Sequence, residues 1–125
     1  NDEKPPTRIN SKHNFVCVED DIIECISACV VMYTKESLRD NYEPLEQYSC
    51  FTKPKINENI EADCTLENVK YVFNVVHHET KMEYECMIIA LIYLERMSKA
   101  TNNKFRICTK NWRYSLFACM MLSSK

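Results

Sequence analysis

Cys86-Met-Ile-Ile-Ala-Leu-Ile-Tyr-Leu-Glu-Arg96 is the stretch that decides the fold class of this chain. From Cys86 to Leu94 it is apolar without a break, bracketed by Glu85 and by Glu95-Arg96. The pattern predicts a helix over residues 82–98 that is apolar all round, as expected of a helix covered by neighbours on several sides. The run is too short for a membrane span, which needs about 18 apolar residues or more. Taken alone, it is core and carries no functional signal.

Outward from this helix the breakers are missing. The 125 residues include no glycine, and the four prolines (Pro5, Pro6, Pro44, Pro54) all precede residue 55. The C-terminal half is therefore expected to be wholly helical. Without glycine there is no Walker loop, no GxGxxG turn and no GxSxG elbow, and tight primed hairpin turns lose their usual residue. An all-α fold follows. The length suits one domain, and 46% apolar content can fill its core. A net charge of −2 argues against a nucleic-acid partner.

Eight cysteines would suit a secreted disulfide scaffold, but Cys25, Cys29, Cys86 and Cys119 lie in apolar helical runs and read as small buried hydrophobes. No C-x-x-C occurs. Cys25 and Cys29, one turn apart, could share a metal with His77-His78, but scattered spacing disfavours it. The reading is reduced, intracellular and structural, with no metal, no cofactor and no small-molecule substrate.

In chain order, residues 1–18 read as a flexible lead-in with Pro5-Pro6. Glu19-Asp20-Asp21 opens a helix to about Glu36, with an apolar stripe of Ile22, Cys25, Ile26, Cys29, Val30 and Tyr33. Residues 38–64 form a long irregular connection with room for one helical turn. Thr65 caps the next helix, whose face is Leu66, Val69, Phe73 and Val76 and which ends near His78-Glu79. Thr109 caps a last helix from about Lys110, with Trp112, Leu116, Phe117, Cys119, Met120 and Leu122 as its apolar set. His77-His78 at a helix end reads as dipole complementarity. Trp112 reads as a packing anchor.

Three segments together, Cys86 to Arg96, Ile107-Cys-Thr-Lys-Asn-Trp-Arg113 and Cys119-Met-Met-Leu-Ser-Ser-Lys125, resemble a cyclin box. The Ile-Cys-x-x-Asn-Trp junction is most similar to the cyclin Y group, relatives of the Pho80-type yeast cyclins. Residues 65–125 would be the first three box helices, a truncated box, and the helix before them in 19–64 looks like that group's extra N-terminal helix.

The resemblance implies a regulatory subunit, not an enzyme. Such a subunit binds a cyclin-dependent kinase, here of the PCTAIRE/PFTAIRE or Pho85-like class, and presses its C-helix inward, so that the helix glutamate pairs with the lysine that holds ATP phosphates. The family's kinase-contacting lysine closes the small-Ser-Lys triplet and falls on Lys125; Leu122 matches an apolar contact one turn earlier. A cyclin-fold adaptor that binds a transcription or signalling protein without a kinase is the alternative. Thr65-Leu-Glu-Asn-Val69, with Val72 three residues on, replaces the substrate-docking patch of cell-cycle cyclins, so Arg-x-Leu docking is not expected. The fourth and fifth box helices are absent from the sequence. The chain, beginning at Asn1, is expected to be a fragment or processed product that self-associates, as a homodimer or by exchange of elements. Family behaviour implies an intracellular location: cytoplasmic, nuclear, or on a membrane through a missing N-terminus.

Overall fold

A helix needs capped ends as well as an apolar face, and Thr65 supplies one. Its hydroxyl accepts the Asn68 N–H at 3.1 Å and opens a helix over Leu66–Thr80. The computed structural model describes the backbone of residues 11–51 and 64–125, and side chains over 21–48 and 64–125. Within it the elements are α1 (Ser11–Arg39), a short 3₁₀ helix (Glu46–Phe51), α2 (Leu66–Thr80), α3 (Tyr84–Ala100) and α4 (Trp112–Ser123). There is no strand among the described residues, so the all-α expectation holds. Pro5-Pro6, Pro54 and the polar Asn57-Glu-Asn59 lie outside them.

α1 packs against α2 and α3, and α3 against α4. The core collects Ile23, Ile26 and Val30 from α1, Val69, Phe73 and Val76 from α2, Met87, Ala90 and Leu94 from α3, and Leu116, Cys119 and Met120 from α4. Phe105, Ile107 and Trp112 close it from the α3–α4 junction, and Tyr48 of the 3₁₀ helix sets its ring edge-on to Phe105 at 5.5 Å.

Three expectations are corrected. α1 begins at Ser11, well before Glu19, so Glu19-Asp20-Asp21 lie inside the helix and not in its first turn, which contains no acid. Its buried stripe runs Ile23, Ile26, Ser27, Val30, Thr34 and Ser37, rotated from the expected one, and Cys25 is exposed. Thr34 and Ser37 fit that face because each finds a backbone acceptor, Thr34 donating to the Val31 carbonyl at 2.8 Å and Ser37 to that of Ile107 at 2.7 Å, while the buried Ser27 hydroxyl has no partner among the described residues. Finally, the last helix starts at Trp112, after Asn111 and not Thr109.

Glycine's absence is met by other residues. The left-handed positions are held by Asn41, Asn102, Asn103 and Lys81, with φ between 54° and 65°. Lys81 closes α2, its N–H donating to the His77 carbonyl at 2.9 Å.

Candidate interaction surface

The segment that delivers α4 is clamped before the helix begins. Asn111, 2% exposed, accepts the Cys108 N–H on Oδ1 at 2.8 Å and donates Nδ2–H to the Arg106 carbonyl at 3.0 Å. The Tyr42 hydroxyl donates to the Lys104 carbonyl at 2.9 Å and accepts the Arg106 N–H at 3.1 Å. Arg106 in turn pairs with Asp40 at 3.1 Å and lies over the Tyr42 ring. These contacts fix the rotation of α4. Trp112, Ser115, Leu116, Cys119 and Met120 face the core, and Tyr114, Phe117, Met121 and Leu122 face solvent.

Leu122, 59% exposed, stands in the last turn of α4, and the exposed Lys125 follows the Ser124 cap. The turn is held by Ser123 and Ser124, whose hydroxyls donate to the Met120 and Met121 carbonyls, each at 2.9 Å. Lys125 has no ion-pair partner among the described residues. The helix end thus presents an ammonium group beside an apolar strip of Phe117, Met121 and Leu122. Phe117 and Leu122, members of the expected apolar set of α4, are exposed; α4 is apolar on more of its circumference than the described residues cover. The same holds for α3, where Met87, Ala90, Leu91 and Leu94 are buried but Ile88, Ile89 and Ile92 are about 40% exposed. Apolar content alone could not separate these faces, but a helix apolar all round with few neighbours to cover it was the available signal.

A cleft of about 310 Å³ opens between α1, α3 and the loop after α3. Glu36, Asp40 and Glu95 line it together with Lys99 and Arg106, and the two cations are engaged by Glu95 and Asp40. Burial, with Glu95 next, pushes the Tyr33 phenol above its ordinary value. No group of three or more His, Cys, Asp or Glu side chains able to hold a metal gathers among the described residues. His77 is structural: its Nδ1–H donates to the Met82 carbonyl at 2.7 Å and its ring stacks on Tyr84. Cys25, Cys29, Cys64, Cys86, Cys108 and Cys119 are all free thiols. Among the described residues no helix is long and apolar enough to cross a membrane.

No family model matches the chain, and no solved structure matches its fold.

Proposed function

We propose that the chain is a cyclin-like regulatory subunit that docks on the C-helix of a cyclin-dependent kinase through the C-terminal end of α4. The observation that carries this reading is the pairing of Leu122 and Lys125 at one exposed helix end, continuous with Phe117 and Met121. A lysine offers three donors and no acceptor, which suits the unsatisfied carbonyls at the end of a partner helix. The neighbouring apolar strip gives the contact a desolvated centre. The protein acts by positioning the kinase's own glutamate and lysine, with no chemistry of its own.

Capture from a source-cell lysate tests this. The wild-type chain and a Lys125→Glu variant are compared by mass spectrometry, and the eluates are assayed for kinase activity. Recovery of a cyclin-dependent kinase by the wild type and its loss in the variant support the reading. Recovery of a non-kinase partner that depends on Phe117 would instead favour the cyclin-fold adaptor. Recovery of a kinase indifferent to Lys125 would put the docking face elsewhere.

A further inference from the structure

The outward face of α3 has a sequence order that the core does not require. Glu85, Ile88, Ile89, Ile92 and Arg96 are all exposed. At 100° per residue they fall within an arc of about 100°, opposite the buried Met87, Ala90, Leu91 and Leu94. The stripe begins with an acid and ends with a base about 16 Å further along the helix axis. Glu85 and Arg96 make no ion pair among the described residues; the neighbouring Glu95 is the one engaged by Lys99, at 3.7 Å.

This order is self-complementary. A twofold axis crossing the helix between positions 90 and 91 sets Glu85 opposite the partner's Arg96, and Ile89 opposite the partner's Ile92. Both pairs share that one centre. We infer that α3 is the seam of an antiparallel dimer of this chain, closed by two reciprocal Glu85–Arg96 ion pairs around the isoleucines. An isologous contact of this kind repeats every interaction twice, so one acid and one base per copy suffice to fix its register. Three partly exposed isoleucines offer far less area than the roughly 800 Å² per partner of a stable complex. The dimer is therefore a weak, reversible one. The inference rests on α3 and is independent of the Lys125 face.

Sedimentation of the full 125-residue chain under reducing conditions tests it, using wild type, Glu85→Arg and Arg96→Glu. The wild type is expected to dimerise, and each single variant to self-associate at least about tenfold more weakly, since both its pairs become like-charged. An equimolar mixture of the two variants should dimerise again, because each then meets its opposite charge at both ends. Ile92→Glu should lose the dimer while its circular dichroism stays helical. A monomeric wild type, variants that dimerise like the wild type, or a mixture that stays monomeric would each overturn the proposal.

Discussion

Ser37 Oγ donates a 2.7 Å hydrogen bond to the carbonyl of Ile107, joining the end of α1 to the segment that feeds α4 across 70 positions of sequence. Both residues are buried, Ser37 at 1% and Ile107 at 5% exposure. Removing the hydroxyl leaves the Ile107 carbonyl without that donor. Ser37→Ala is expected to destabilise the chain by about 1–3 kcal/mol, read as a lower urea midpoint at unchanged slope. A midpoint within error of wild type would show that the clamp is dispensable.

Asn111 should matter more. Its side chain answers the Cys108 N–H and the Arg106 carbonyl at once, from a site that water does not reach. Asn111→Ala orphans both groups and should cost about 2–4 kcal/mol. Asn111→Asp keeps the acceptor and loses the donor, so it should be less stable at pH 8 than at pH 4, where its carboxyl can be protonated. Equal stability at the two pH values would contradict the assigned geometry.

The exposed and buried faces of α4 predict opposite results from neighbouring positions. Leu116 is fully buried and Phe117 is 48% exposed. Leu116→Ala is expected to cost about 2–5 kcal/mol, and Phe117→Ser less than about 0.5 kcal/mol, in thermal or denaturant unfolding of the monomer. A reversed order would mean that α4 is rotated.

The thiols set a limit at high pH. Burial pushes Cys119 up to about 11, from an ordinary value near 9, and pushes Cys108 up as well. A thiol whose folded value exceeds its unfolded one contributes fully below the unfolded value and loses that contribution as pH rises through the folded one. Stability should therefore fall between about pH 9 and 11, and less steeply in Cys119→Ala. In native protein at pH 8 the exposed Cys25 should react with a thiol reagent well before Cys108 and Cys119. Labelling of Cys119 as fast as Cys25 would contradict its burial.

Lys81 holds φ at 59°, which costs any residue with a Cβ. Lys81→Gly should raise the unfolding free energy by about 0.5–1 kcal/mol. A lower melting temperature would mean that the lysine side chain, and not the turn, is what the position needs.

Element type was legible because glycine and proline vanish from the C-terminal half and Thr65 signals its cap plainly. The faces were less so. On α1, Ser27, Thr34 and Ser37 are buried where Cys25 and Cys29 read as better candidates; for Ser37 the reason is an acceptor as remote as the Ile107 carbonyl, which cannot be seen along one helix. On α3 and α4, apolar residues all round left Ile88, Ile92 and Phe117 indistinguishable from their buried neighbours. The Asn111 clamp was hidden for a related reason: its side chain does not cap the helix but bonds backwards to the Cys108 N–H and the Arg106 carbonyl, contacts that residue type alone does not signal. The candidate site itself, Leu122 and Lys125, came from the resemblance of the terminal triplet and not from residue type.

Titration of a purified PCTAIRE-class cyclin-dependent kinase into this chain by calorimetry tests the central proposal most directly. The wild type is expected to bind, Lys125→Glu to bind at least tenfold more weakly, and Tyr71→Ser, on the exposed face of α2, to bind as the wild type does. No binding by the wild type, or equal affinity for all three, would contradict a kinase-docking role for the end of α4.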